Sequence, residues 1–213
     1  MKVPAFPVYL FDVDGVLLDS ATDICGAVQA VLEQYQFPKV TDSYLKNWIG
    51  HHLEDLFRGL KPEIDAAQVE AMVTDYRAIY HARGHANTSV FPGVAEALAG
   101  LGGRKSTATT KGTPTTRYIL ERFGLLQYFD HVQGTDGFPA KPNPDVLLKS
   151  IELFGARPED CLMVGDSVAD MAAGRAVGVK TCAVRYGYGN HDRMAEHAPD
   201  FWVNDLRELV AAP

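Results

Sequence analysis

Val8-Tyr9-Leu10-Phe11-Asp12-Val13-Asp14-Gly15-Val16-Leu17-Leu18-Asp19 is the stretch that decides the fold. Four bulky apolar residues in succession, without the alternation of a half-exposed strand, describe a strand buried on both faces. The run is far too short to span a membrane or to act as a signal peptide. It stops at two carboxylates and a glycine, the composition of a functional loop at the carboxyl end of a parallel strand.

Downstream, Ile24, Ala27, Val28, Val31, Leu32 and Tyr35 fall at helical spacing, and Pro38 lies just beyond. Residues 45–60 read as helical with a break at Gly50. Val69, Met72, Val73, Tyr76, Ile79 and Tyr80 mark one face of a long helix. From about residue 18 to residue 85 the pattern carries helices and no convincing strand. After Phe91-Pro92-Gly93 it changes to strands alternating with helices. A second strand is expected over 105–109, then a helix with Thr113 as N-cap and Pro114 in its first turn, ending at Gly124. Asn143-Pro144 opens another helix that closes at Gly155. A strand over 161–164 stops at Gly165-Asp166, a small-residue helix runs to about Ala176, and further strands are expected over 179–184 and 201–203, with a helix from Asp205.

Strands alternating with helices imply right-handed crossovers and a parallel sheet. The expected fold is therefore α/β: a Rossmann-like, doubly wound parallel sheet forming the core from residues 1–17 and 88–213, interrupted by an all-helical insertion over 18–87. Placed directly after the first strand, such an insertion sits above the carboxyl ends of the strands, where open α/β sheets bind ligands. It is positioned to act as a lid.

The 213 residues, 46% hydrophobic and 22% charged with a formal net charge of −7, are those of an ordinary globular chain. Without a basic stripe, neither nucleic acid nor an anionic membrane is an expected partner. An anionic substrate must be held by a local group of cations. Cys25, Cys161 and Cys182 are odd in number and lack CxxC spacing, so no disulfide framework or cysteine zinc site is indicated, and a cytoplasmic location fits.

Asp12 and Asp14, two residues apart at a strand end, suit a nucleophile and a general acid and base. Isolated, they read equally well as turn-forming aspartates. A second acidic loop, Gly165-Asp166-Ser167 with Asp170, again follows an apolar strand. Asp166 can act as an oxygen ligand of Mg²⁺, and Asp170, one helical turn on, can orient Asp166 or a bound water. Thr109 lies where the second strand should end, and Lys141 offers an ammonium just before a helix N-terminus, where anions are favoured. Asp12 with Asp14, Thr109, Lys141 and Asp166 are each expected at or just after the end of a different strand, so that a parallel sheet gathers them in one crevice.

The segments FDVDGVLLDS, TATTKG, AKPNPD and MVGDSVAD, in this order, resemble the four motifs of the haloacid dehalogenase (HAD) superfamily across nearly the whole chain. DSATDI, FPGV and VRYGYGNHD add a weaker resemblance to its phosphoglycolate phosphatase-like branch, which carries a small helical cap. The resemblance implies a Mg²⁺-dependent phosphatase acting on a small phosphate monoester, phosphoglycolate-like or a sugar phosphate. Asp12 would form an aspartyl-phosphate, and Asp14 would protonate the leaving oxygen and then activate water. Asp12, the backbone carbonyl of Asp14 and Asp166 would share Mg²⁺, with Thr109, Thr110 and Lys141 on the phosphoryl group. Thr110 stands where the related phosphatases tend to carry asparagine, a departure that leaves the placement of Lys111 open, and residues 102–107 are more polar than the usual second strand.

Within the insertion, His51 and Arg58, near Gly50, are the residues to meet a substrate carboxylate, set against the reading of a solvated helix face. A sugar phosphomutase or an inorganic pyrophosphatase would keep every core motif. A hydrolytic dehalogenase would need neither Mg²⁺ nor Asp14. A catalytically silent phosphate-binding regulatory module is the alternative outside enzymes. The chain is expected as a monomer or a homodimer.

Overall fold

In the computed structural model, which describes residues 2–210, the chain runs β1 (Val8–Phe11), β2 (Leu18–Asp19), α1 (Ala21–Gln34), α2 (Asp42–Lys46), α3 (Leu53–Leu60), α4 (Ala66–Ala82), β3 (Ser89–Val90), α5 (Val94–Gly100), β4 (Arg104–Thr107), α6 (Thr113–Arg122), α7 (Asp145–Phe154), β5 (Cys161–Gly165), α8 (Val168–Val177), β6 (Lys180–Val184), α9 (His191–Glu196) and β7 (Phe201–Val203). Five strands form one sheet in the order β4-β1-β5-β6-β7, and β2 pairs with β3. Every pairing in the larger sheet is parallel. The expected doubly wound α/β fold is the fold observed.

The apolar run at Val8–Phe11 is explained by its place. β1 is paired along both edges, with Val8 opposite Arg104 of β4 and Cys161 of β5, and all four of its residues are buried, so both of its faces are covered. Val8 and Leu10 join Ala108, Val146, Leu147, Ile151, Cys161 and Met163 in one buried layer. Tyr9 and Phe11 point to the opposite face, as strand alternation requires, and Phe11 meets Phe129 edge to face at 6.1 Å.

The polarity of β4 also has a physical account: β4 is the edge strand, and its hydroxyls are satisfied. Ser106 Oγ lies 2.8 Å from Ser150 Oγ and donates to the Thr107 carbonyl. Thr107 Oγ1 donates to the Gln133 carbonyl at 2.9 Å and accepts the Gln133 N–H at 2.8 Å. On the outer side of β4 the 130–133 segment adds an isolated bridge between Ser106 and His131.

Two compact units divide the chain, Met1–Asp19 with Val90–Pro213, and Ser20–Ser89. The second is built on α1 and α4, whose buried faces carry Ala27, Val28, Val31 and Leu32, and Val69, Met72, Val73 and Tyr76. Thr41 and Asp65 cap α2 and α4 by accepting the N–H groups of Tyr44 and Gln68. Asp23, fully buried on α1, accepts the Asn87 N–H at 2.9 Å, the Asn87 side chain at 3.1 Å and the Thr88 hydroxyl at 2.8 Å, and its Oδ1 lies 3.5 Å from Arg83 Nε. These bonds tie α1 to the segment that follows α4.

Several expectations are corrected. The second strand ends at Thr107, not 109. Thr113 is the first residue of α6 rather than its cap, which is Gly112; its hydroxyl accepts the Gly134 N–H instead. The helix expected from Asp205 is a 3-10 turn, Leu206–Leu209. The break in 45–60 falls as expected, Gly50 taking a φ of +91° between α2 and α3. Among the described residues no helix is long and apolar enough to cross a membrane, and the three cysteines are free and buried.

Candidate active site

The order β4-β1-β5 places β1 at the switch point of the sheet, where the connections diverge and the carboxyl ends leave a crevice. Asp12 continues β1 by one residue. Its N–H donates to the Val164 carbonyl of β5 at 2.9 Å, while the Ala108 N–H reaches back to the Phe11 carbonyl at 2.7 Å. The loops after β1, β4 and β5 are thereby brought side by side, with Asp12 in the middle.

Lys141 Nζ stands 3.1 Å from Asp12 Oδ1 and 2.5 Å from Asp170 Oδ1, all three groups buried. Lys141 reaches this point from the loop leading into α7, not from a strand end as expected; only the His131 bridge precedes it. Carboxylate oxygens of Asp12, Asp166 and Asp170 all lie within 4.8 Å of one another.

These acids are not equivalent. Asp170 forms a capping box with Ser167 at the start of α8: its Oδ2 accepts the Asp166 and Ser167 N–H groups at 3.2 and 3.0 Å and the Ser167 hydroxyl at 2.7 Å, while Lys141 takes Oδ1. Both of its oxygens are thus engaged by protein donors, which suits an orienting group better than a ligand. Asp166 receives the Tyr188 N–H on Oδ2 at 2.7 Å.

The electrostatics follow from crowding. Burial pushes the Asp12 carboxyl up to about 7; Lys141 opposes the shift, and Asp170 and Asp14 add to it. Burial, with the charges of Asp170 and Asp12, holds Asp166 well above the usual carboxylate range. For Lys141, burial alone would lower its pKa, but the facing Asp12 and Asp170 raise it, so the ammonium stays charged. Three buried carboxylates against one ammonium leave a negative excess that a divalent cation with oxygen preference offsets. The donor set therefore fits a divalent cation such as Mg²⁺, which Asp12 and Asp166 could hold.

Asp14 lies at the same edge, and its Oδ2 is 3.2 Å from Lys111 Nζ. Sequence reasoning left the placement of Lys111 open. The available signal was its position two residues after Thr109 in a loop at the carboxyl end of β4. Thr109, with no exposed surface, accepts the Lys111 N–H on its hydroxyl at 3.3 Å. Its carbonyl accepts the Thr135 hydroxyl at 2.9 Å, and Thr110 follows it half-buried. His51 and Arg58 belong to the second unit and are exposed there, His51 edge-on to Trp48 at 5.6 Å.

Comparison with known proteins agrees with this geometry. Residues 9–184 match the family model described as haloacid dehalogenase-like hydrolase. The chain is 34% identical over 211 residues to phosphoglycolate phosphatase 1 of Pseudomonas aeruginosa, covering 94% of this chain and 77% of that one. It is 33% identical over 205 residues to pyrophosphatase PpaX of Halalkalibacterium halodurans, covering 94% of each. Among solved structures, a haloacid dehalogenase-like hydrolase of Bacteroides fragilis superposes with a TM-score of 0.91 at 31% identity, over 96% of this chain and all of that one.

Proposed function

The chain belongs to the haloacid dehalogenase-like hydrolase family and is a phosphoric monoester hydrolase; from that premise we propose that Asp12 attacks the phosphorus of a small phosphate monoester and carries the phosphoryl group as an aspartyl-phosphate. The observation that carries this reading is the buried contact of Lys141 with Asp12 and Asp170, with Asp166 close by. It sets a nucleophile, a fixed cation and an acidic ligand around one point at a strand end.

In the first step an Asp12 oxygen displaces the ester oxygen in line, and the leaving alkoxide takes its proton from Asp14. In the second, Asp14 removes a proton from water, which attacks the phosphorus and returns Asp12 as a carboxylate with release of inorganic phosphate. Lys141 and the Thr109 hydroxyl, with Thr110, hold the equatorial oxygens as charge moves across them. Asp12, the Asp14 carbonyl and Asp166 would hold Mg²⁺, which when bound would supply the remaining charge neutralisation. Asp170 keeps Lys141 and the β5–α8 turn in place. Lys111, 3.2 Å from Asp14, orients its carboxyl group for both steps.

Ser20–Ser89 is proposed as the cap domain that selects the leaving group, with His51 and Arg58 as the candidates to meet it. Relatives named phosphoglycolate phosphatase favour a short anionic ester of that kind. The relative named as a pyrophosphatase keeps a phosphoanhydride as the second reading.

Two measurements test the mechanism. Asp12→Asn should lower phosphate release by roughly 10⁴-fold or more while circular dichroism stays native. An acid-quenched wild-type reaction should yield a peptide carrying one phosphoryl group on Asp12. Unimpaired turnover in Asp12→Asn would end the covalent route. A survey of phosphate release over a few dozen esters and pyrophosphate, with and without Mg²⁺, separates the two substrate readings.

A further inference from the structure

The loop after β6 is built around Asp166. The Tyr188 N–H donates to Asp166 Oδ2 at 2.7 Å. A Cβ on Gly187 would lie 2.3 Å from Asp166 Cβ and 2.5 Å from Oδ2, and a Cβ on Gly189 would run into the Asp166 carbonyl oxygen at 1.7 Å. From the other side Gly15, at φ +88°, would place a Cβ 2.2 Å from Asp166 Oδ2. Three glycines from two loops therefore let backbone close on one residue, Gly15 and Gly187 on the Asp166 side chain and Gly189 on its carbonyl, where any side chain would displace it.

That loop is itself pinned. The Tyr186 hydroxyl donates to the Val16 carbonyl at 2.8 Å, and the Tyr188 hydroxyl donates to Asp19 Oδ1 at 2.8 Å. Both anchors fall on the segment that continues from Asp12 and Asp14. One residue, Tyr188, thus holds Asp166 with its backbone and the outgoing β1 loop with its side chain.

We propose that Tyr188 is a positioning residue for the metal ligand Asp166: its N–H, aimed by the anchored phenol and by Gly187, fixes Oδ2 and leaves Oδ1 to the cation. The inference rests on the reading of Asp166 as a ligand. A carboxylate with one oxygen already bonded has lost most of its rotamer freedom before the cation arrives, so less order remains to be imposed on binding.

The test is Mn²⁺ binding to the metal-free protein, followed by electron paramagnetic resonance without substrate. Tyr188→Phe removes the anchor, Gly187→Ala drives a methyl group into Asp166, and Asp166→Ala serves as the reference. Tyr188→Phe and Gly187→Ala should each weaken Mn²⁺ binding about tenfold. Native near-ultraviolet circular dichroism in chelator should be kept in both variants. Saturating Mg²⁺ should restore the kcat of Tyr188→Phe while its half-saturating Mg²⁺ rises by the same factor, a rescue that a purely structural role does not produce. Wild-type affinity in Tyr188→Phe, or a loss of affinity matched by loss of the native near-ultraviolet circular dichroism, overturns the proposal. Undiminished Mn²⁺ affinity in Asp166→Ala removes instead the premise that Asp166 is a ligand.

Discussion

Lys111 shows what a single residue contributes when its partner is distant in sequence. Its ammonium faces Asp14 at 3.2 Å with both side chains mostly buried, so their interaction is screened less than that of a surface pair. Lys111→Met should lower kcat roughly ten- to hundredfold, with Lys111→Arg recovering part of it, in steady-state assays on protein with native circular dichroism. An unchanged kcat in Lys111→Met would remove Lys111 from the machinery. Asp12 and Asp14 were legible because their meaning is local: two carboxylates ending an apolar run. Lys111 was legible only in its position two residues after Thr109; that its amine meets Asp14 comes from folding. Asp170 falls between the two cases. The spacing Ser167-x-x-Asp170 gives the capping box, but the approach of Lys141 comes from folding.

Among the elements, β4 is the instructive one. Its polar sequence argued against a central strand, and it is an edge strand whose hydroxyls find partners in α7 and the 129–133 segment. Ser106 donates to the Thr107 carbonyl and so accepts from Ser150, which makes the two serines unequal. Ser106→Ala leaves the buried Ser150 hydroxyl alone and should cost about 1–2 kcal/mol in urea denaturation. Ser150→Ala should cost less, and the double variant should regain part of the Ser106→Ala loss. Equal costs for the two single variants would contradict this assignment of donor and acceptor. Asp23 on α1 gives the matching test in the helical unit. Burial would raise its carboxyl, but hydrogen bonds from Asn87 and Thr88 and the Arg83 charge outweigh it and hold the pKa below the ordinary value. A depressed pKa contributes stability above the unfolded value of about 3.9 and loses it as pH falls through the lower folded value. Asp23→Asn should therefore cost about 2 kcal/mol at neutral pH. Denaturation near pH 3 should show a smaller gap, and a gap that widens on acidification would mean the sign is wrong.

For the whole molecule, the proposed division of labour between a core that handles the phosphoryl group and a helical cap that reads the leaving group makes a kinetic claim. Arg58→Ala should raise KM for the physiological ester by more than it raises KM for a generic aryl phosphate, with kcat on the aryl ester unchanged. Equal effects on both substrates would take Arg58 out of the specificity set. The parallel sheet and the alternation of strands and helices after Phe91 followed from the sequence, because hydrophobic period and turn residues are properties of neighbouring positions. So did the placement of Asp12, Asp14 and Asp166 just after the strands β1 and β5. Tertiary structure alone decided which partners the β4 hydroxyls meet, that Thr113 bonds Gly134 rather than capping its helix, that Lys111 meets Asp14, and that Tyr188 and three glycines close on Asp166. Each of those facts pairs residues at least 20 positions apart, and only the folded chain sets the distance between such groups.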